Sequence, residues 1–239
     1  MKTVKMRLLT GTAALAAINW AAGLQAQSFL PDFYAAPHYS GSDHAYLSST
    51  SGKVYFGFDG GAAFQQPINL YDSIGDNEKV TYGTGVRLDL EMGFNVTPNW
   101  AVELETGLII NPVKNSFVLG TDFMNVELVE VPLMANVIYT RPLGRHFSVY
   151  LGGGLGGAFS DYENDFGGTT EGDTTFAFQG LAGLKYTFGE RWDVGVTYKF
   201  LGTTKHDVGP GFDSLGNPTE FKSDGTMTHA VLLALSCRF

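Results

Sequence analysis

The sequence predicts an all-β chain, an eight-stranded antiparallel up-and-down transmembrane β-barrel, on three observations. The first is residues 82–96. Tyr82, Thr84, Val86, Leu88, Leu90, Met92, Phe94 and Val96 alternate with Gly83, Gly85, Arg87, Asp89, Glu91, Gly93 and Asn95. A period of two puts these sets on opposite faces of a strand, and a tilted strand crossing a bilayer needs about 9 to 11 such residues. The second is that this pattern recurs along the chain. The third is that the connections between the repeats alternate between short and long.

The N-terminus has the layout of an export signal: Lys2, Lys5 and Arg7, then an apolar stretch from Leu8 to Leu24, then Leu24-Gln25-Ala26 before Gln27. Residues 1–26 are therefore expected to be a signal peptide, cleaved after Ala26. An uncleaved anchor is the alternative, but Asn19 interrupts the run and no basic stop-transfer flank follows Gln27. Residues 27–52 do not alternate and are expected to form a periplasmic arm or partial plug. Residues 53–239 form the barrel.

Eight segments carry the alternation. In 53–64, Val54, Phe56, Phe58, Ala62 and Phe64 oppose Tyr55, Gly57, Asp59, Gly61 and Ala63. Segment 82–96 follows, and Thr97-Pro98-Asn99 turns the chain into 100–110, with Trp100, Val102, Leu104, Thr106, Leu108 and Ile110 outward. In 124–139 the phase changes: Met124, Val126 and Leu128 are one residue out of step with Val129, Val131, Leu133, Ala135, Val137 and Tyr139. That slip predicts a β-bulge, with Pro132 just beyond it. Arg141-Pro142-Leu143-Gly144 leads into 146–159, whose inner face (Ser148, Tyr150, Gly152, Gly154, Gly156, Ala158) is small enough to admit bulky neighbours. Segments 174–188, 192–201 and 227–239 complete the set.

Connections at 97–99, 141–145 and 189–191 are short. Those at 65–81, 111–123, 160–173 and 202–226 are long and rich in Gly, Asp, Asn and Ser. Outer-membrane barrels have short periplasmic turns and long external loops, so both barrel ends are expected in the periplasm. Phe94, Trp100, Tyr139, Phe147, Phe188 and Trp192 gather beside the short turns as a periplasmic aromatic girdle. Closure removes the free strand edges that lipid cannot solvate.

Charge and cysteine content exclude other classes. Removing residues 1–26 takes three cations and no acid, leaving twelve Lys+Arg against 24 Asp+Glu, a net charge near −12. Nucleic acid is an improbable partner for such a chain, because phosphate binding draws on clustered cations. Cys237 is the only cysteine, so no intramolecular disulfide forms, and with none near the cleavage point the chain is not expected to be a lipoprotein. No cofactor is implied.

Several stretches resemble the outer-membrane β-barrel family that groups opacity-type surface proteins with the OmpA-like transmembrane domain. Phe239, preceded by Leu233, Leu235 and Cys237 on one face, resembles the signal presented to the barrel-assembly machinery. Glu130-Val131-Pro132-Leu133 leading to Tyr139, then Val149 to Phe159 with its repeated glycines, is similar to the family's central hairpin. The resemblance covers residues 53–239 and implies a bacterial outer-membrane location. The implied partners are outer-membrane lipid and lipopolysaccharide, periplasmic chaperones, the barrel-assembly machinery and an external ligand or surface. No peptidoglycan-binding domain follows Phe239, so the two-domain form of OmpA is not implied. Family members include adhesins and narrow pores, and a fold does not choose between them.

Four candidate sites follow. An inward charge network is expected from Arg87, Asp89, Glu91, Glu103, Glu105, Glu130, Lys185, Lys199 and Arg238, with Glu91 opposite Glu105 and with Arg87 and Lys199 at similar depth to compensate the two carboxylates. It reads either as a polar gate in a porin-like water path or as salt-bridged filling, since eight strands leave an interior just wide enough for side chains; the filling is favoured. A lipid A-modifying site would need His with Ser. His146 and Ser148 share a strand at the short-turn end with both side chains expected inward, and His206-Asp207 lies near Ser214 in a long loop; neither has the spacing of a triad. A metal site at His38, Asp43 and His44, or calcium at Asp161, Glu163, Asp165, Glu171 and Asp173, lacks the ligand spacing of either metal, so no catalytic or metal residue is assigned. Long-loop residues, including Tyr71, Phe123, Phe166, Phe212 and Phe221, are the expected contact surface for a structural or surface-interaction protein, since loops on a rigid scaffold carry recognition. The exported chain is expected to begin at Gln27; intact-mass measurement of protein taken from outer membranes checks the cut, and a mass that retains residues 1–26 refutes it.

Overall fold

The computed structural model describes residues 53–71, 77–115, 125–164, 173–189, 191–212 and 218–239. Residues 1–52, where a signal peptide and a periplasmic arm or partial plug are expected, lie outside the described residues. Twelve strands run in chain order: β1 (Val54–Gln65), β2 (Ile68–Tyr71), β3 (Asn77–Tyr82), β4 (Thr84–Asn95), β5 (Trp100–Asn115), β6 (Val126–Pro142), β7 (Phe147–Asn164), β8 (Asp173–Phe188), β9 (Trp192–Thr203), β10 (His206–Phe212), β11 (Pro218–Ser223) and β12 (Met227–Arg238).

Eight of these close a barrel. The order β5-β4-β1-β12-β9-β8-β7-β6 ends where β5 pairs with β6, so no edge is left free. All pairings are antiparallel, and short turns of four residues or fewer join β4 to β5, β6 to β7 and β8 to β9. At the first, Thr97 Oγ1 accepts from the backbone N–H groups of Asn99 and Trp100 at 3.3 and 3.0 Å. At the third, Gly189 takes φ +63°, a conformation that costs glycine nothing.

The solvent preference of the two faces is inverted relative to a water-soluble fold. Leu233 is 70% exposed, Leu151 64% and Leu90 60%, whereas Arg87, Glu105 and Glu130 are 0% exposed. A wall of Phe, Leu and Val around an interior of Arg, Lys, Asp and Glu is stable only when lipid surrounds it. At the short-turn end Phe94, Trp100, Tyr139, Phe147, Phe188 and Trp192 all point outward. Trp100 and Tyr139 have ring centroids 5.0 Å apart, as do Phe147 and Tyr186.

Three details differ from the sequence expectation. The phase change in β6 is not a bulge: β6 pairs with β7 in one unbroken register from Val126↔Asn164 to Pro142↔Ser148. Val126 and Leu128 face inward, into an apolar cluster with Ile68, Leu70, Val80, Tyr82 and Tyr162 at the long-loop end. The pattern shifts because the chemistry of the interior changes there, from polar to apolar, while the backbone stays in step. Tyr82 also points inward and not to lipid: the chain breaks at Gly83 between β3 and β4, and the hydroxyls of Tyr82 and Tyr162 meet at 2.8 Å. Finally, segments 65–81 and 202–226 contain strands. Short β2, β3, β10 and β11 extend the sheet in the order β10-β11-β2-β3-β5. Their lengths of four to seven residues hide them from a search for bilayer-length alternation.

Leu90→Arg, on the outward face near mid-strand, is expected to destabilise the barrel by about 2–4 kcal/mol, whereas Leu143→Arg in a short turn should cost about 1 kcal/mol or less. Urea unfolding of vesicle-inserted protein checks the pair, and equal costs would contradict a lipid-facing Leu90.

Candidate functional site: the filled lumen

Each strand brings inward side chains to the same level because its inner positions recur every second residue. At mid-barrel that level holds Asp59 on β1, Asp89 and Glu91 on β4, Glu103 and Glu105 on β5, Asn136 on β6, Gln179 on β8 and Lys199 on β9. Lys199 is the hub. Its Nζ lies 2.6 Å from Glu91 Oε1, 2.9 Å from Asp89 Oδ2, 3.1 Å from Asp59 Oδ2 and 3.2 Å from Glu105 Oε2. Arg87 is the second cation. Its Nε donates to Asp89 Oδ2 at 2.8 Å, and its Nη2 donates to Glu105 Oε1 at 2.7 Å and to Gln179 Oε1 at 3.1 Å.

Glu91 and Glu105 are register partners on β4 and β5, and Lys199 lies between their carboxylates. Four carboxylates, Asp59, Asp89, Glu91 and Glu105, contact the two cations, and neutral donors serve Glu103 and add to Glu105. Tyr55 donates to Glu103 Oε2 at 2.7 Å, Asn136 to Glu103 Oε1 and Glu105 Oε2 at 3.0 and 2.9 Å, and Gln179 to Glu105 Oε2 at 2.8 Å. Glycine makes the room: a Cβ at Gly107 would strike Asp89, one at Gly154 would strike Asn136, and one at Gly57 would strike Glu91.

The network has a layer on either side. One inward position toward the long loops come Met134, Ala177 and Leu201, joined by Ala63, Ile109 and Ala158 in an apolar layer. Beyond it Glu130, fully buried, accepts from Thr226 at 2.6 Å and Thr228 at 3.3 Å. Toward the short turns is a cavity of about 90 Å³ whose lining includes Tyr55, Glu91, Glu103, Tyr150, Lys185 and Asp193. Arg238 Nη2 closes its floor on Asp193 at 3.1 Å, and Lys185 is 4.0 Å from the same carboxylate.

The nine charged residues read from the sequence thus fall in three places. Arg87, Asp89, Glu91, Glu103, Glu105 and Lys199 meet at mid-lumen, Lys185 and Arg238 meet Asp193 near the short turns, and Glu130 stands apart toward the long loops. Sequence reasoning placed Asp59 on the inward face of its strand but left it out of the network, and it passed over Asp193, Asn136 and Gln179. The inward phase of their strands was the signal that could have found them.

Glu91, Glu103 and Glu105 have carboxylate oxygens within 4.8 Å of one another, but Lys199 Nζ already occupies the position from which a cation would bridge Glu91 and Glu105. The proposed hydrolytic residues do not assemble. Ser148 is buried, whereas His146 is exposed in a turn, contrary to the inward orientation expected of it, with its ring against Tyr186 at 5.5 Å and its Nδ1 at 3.2 Å from the Thr187 carbonyl. His206 and Asp207 are on β10, and Ser214, His38, Asp43, His44, Asp165 and Glu171 lie outside the described residues.

Of the expected loop contacts, Phe123 and Phe166 are also outside the described residues, while Phe212 and Phe221 are on β10 and β11 and so belong to strands. Tyr71 on β2 is tied into a clip. Its hydroxyl donates to Asp224, and Lys205 Nζ lies 3.1 Å from that hydroxyl and 3.2 Å from Asp224 Oδ1. The bond from Tyr71 holds the exposed Asp224 carboxyl below its usual range, and the Tyr71 hydroxyl, then Asp224, raises Lys205. The clip joins β2 to the segments flanking the β10–β11 hairpin.

A family model described as the outer membrane protein beta-barrel domain matches residues 10–239. No curated protein sequence matches the chain. Among solved structures, the outer membrane protein OprG of Pseudomonas aeruginosa aligns with TM-score 0.53 and 16% identity over 79% of this chain and 97% of its own. The outer membrane protein AlkL, solved in lipid bilayers, aligns with TM-score 0.52 and 17% identity over 88% of this chain and 97% of its own. The Neisserial surface protein A aligns at TM-score 0.49 and 13% identity over 78% and 97%. At these identities the likeness is one of fold.

Lys199→Met should cost about 3–5 kcal/mol, because it strands buried carboxylates without their counter-charge. Adding Glu91→Gln to that variant should recover part of the loss. Urea unfolding in vesicles measures both, and a neutral Lys199→Met would show that the hub contributes nothing.

Proposed function

Because the chain belongs to the outer membrane protein β-barrel domain family, we propose that it is a closed, non-enzymatic scaffold of the bacterial outer membrane that acts through the surface built at its long-loop end. Short turns then face the periplasm and β2, β3, β10 and β11 face outward. The observation that carries this reading is the packing of the mid-lumen. Lys199 is 1% exposed, Asp89 1%, and Arg87 and Glu105 0%, with an apolar layer stacked directly on them. A conducting pore keeps its charged ring hydrated so that ions bind weakly enough to leave. Here each cation is held by carboxylates at 2.6–3.2 Å, and a salt-bridged filling stiffens the wall.

The long-loop end supports a recognition role by its construction. The short strands there prolong the barrel sheet, the apolar cluster of Leu70, Val80, Tyr82, Leu128 and Tyr162 fills the interior beneath them, and the Tyr71–Asp224–Lys205 clip fastens β2 to the neighbouring hairpin. A rigid platform loses less conformational entropy on binding than a free loop does. The non-enzymatic reading rests on the separation of His146, facing out, from Ser148, facing in, and on the commitment of the lumen carboxylates to cations and amides.

Purified protein in planar bilayers is expected to show no channel openings across a wide voltage range. Replacing residues 207–221 with a Gly-Ser turn should leave the barrel folded while abolishing attachment of expressing cells to whichever surface the intact protein binds. Stable conductance that changes in Arg87→Ala would replace this reading with a pore.

A further inference from the structure

The charges outside the lumen are sorted by end. The segments that join strands at the long-loop end (66–82, 111–127, 160–175 and 202–226) carry fourteen Asp+Glu against four Lys. In the three short turns and their flanks the balance is reversed: Arg141, Arg145 and Arg191 stand against Glu190, and Lys53 directly precedes β1. Arg141, Arg145 and Arg191 are exposed, and among the described residues none of these four cations makes an ion pair. Among the described residues they lack the counter-charge that Asp224 gives Lys205 and Asp193 gives Arg238.

Their placement follows the aromatic girdle. Arg141 is two residues beyond Tyr139 on the outward face of β6, Arg145 is two residues before Phe147, and Arg191 directly precedes Trp192. Each arginine therefore borders an aromatic side chain that marks the boundary between hydrocarbon and headgroups. The turn bearing Arg145 is held in shape by the His146–Tyr186 ring contact at 5.5 Å and by the Leu143 N–H donated to the Phe147 carbonyl at 2.8 Å. A guanidinium at headgroup depth meets phosphate with paired donors and a planar charge.

We propose that the short-turn rim is a binding surface for anionic phospholipid headgroups, with Arg141, Arg145 and Arg191 as the phosphate-binding residues. The acidic long-loop end offers no equivalent, so anionic lipid gathers at one rim of the barrel. This assignment is independent of what the long loops bind. A cation close to an anionic membrane surface strengthens binding by about fivefold, and three in one rim are enough to enrich such lipid around the barrel.

The test uses the full mature protein in nanodiscs made of equal parts phosphatidylglycerol and phosphatidylcholine with identical acyl chains. Native mass spectrometry then counts the lipids that stay with the protein after the disc is stripped away. The wild type is expected to retain phosphatidylglycerol over phosphatidylcholine by about fivefold or more. The triple variant Arg141→Gln, Arg145→Gln, Arg191→Gln should bring that ratio close to one, and Lys79→Gln, Lys114→Gln, Lys222→Gln at the other end should leave it unchanged. All six positions are exposed, and heat-modifiable migration on a denaturing gel verifies the fold of each variant. An unbiased wild type, a short-turn variant with the full preference, or an equal loss in the long-loop variant would each overturn the proposal.

Discussion

A polypeptide in hydrocarbon has no water to satisfy a backbone N–H or C=O, and each one left open costs several kcal/mol. The pairing of β5 with β6 meets that constraint here, because it turns a sheet with two open edges into a closed wall. Pro132 sits within this seam without opening it. Proline has no N–H to donate, yet Thr106 reaches across and donates its hydroxyl to the Pro132 carbonyl at 3.0 Å, while the register on either side stays constant. Closure fixes the size of the interior, and that size governs what the interior holds.

Eight strands leave a lumen as wide as two facing side chains, so inward residues must either be small or meet a partner. Two cations lie at the centre, each touching two or more carboxylates, and the amides of Asn136 and Gln179 donate to Glu105 beside Lys199, Asn136 also donating to Glu103. A buried charge costs more than it returns unless further hydrogen bonds support it, and Tyr55, Asn136 and Gln179 supply such bonds here, while Arg87 Nη1 has no hydrogen-bond partner among the described residues. The glycines of the opposing strands belong to the same solution: Gly57, Gly107 and Gly154 are vacant volumes into which Glu91, Asp89 and Asn136 fit. Ion pairing and tight packing are one property, and together they favour a strut over a conduit.

How much of this was legible in the sequence depended on whether one residue type dominated each face. Outward faces were readable because lipid accepts only apolar side chains, so Val86, Leu88 and Leu90 announce themselves. The inward charges were readable for the same reason, as exceptions at alternate positions. Reading failed where the interior itself turned apolar. Val126, Leu128 and Tyr82 look lipid-facing by composition, and only their partners Ile68, Leu70 and Val80, from a segment without bilayer-length alternation, reveal a second small core above the polar layers. The strands of that extension were missed because four to seven residues carry too short a pattern. The hub geometry of Lys199 was beyond the sequence as well, since it depends on the relative shift of β1, β4, β5 and β9 around the barrel.

The distribution of charge along the barrel axis connects these levels. Acids outnumber bases in the lumen, but each cation there lies within a few ångströms of a carboxylate. The two rims differ by sign, one strongly acidic and one basic, separated by the height of a low-dielectric wall. Charges of like sign on an extended external surface repel, and they disfavour close packing of a second acidic surface against it. A partner for the long-loop end must therefore bring cations of its own or bind through apolar and hydrogen-bonding contacts. At the basic rim the complementary charge is already present in the membrane that solvates the wall. The alternation that turns an apolar face outward thus also set the chemistry of both its surfaces, because every acid and base excluded from the outer wall had to lie in the lumen or at a rim.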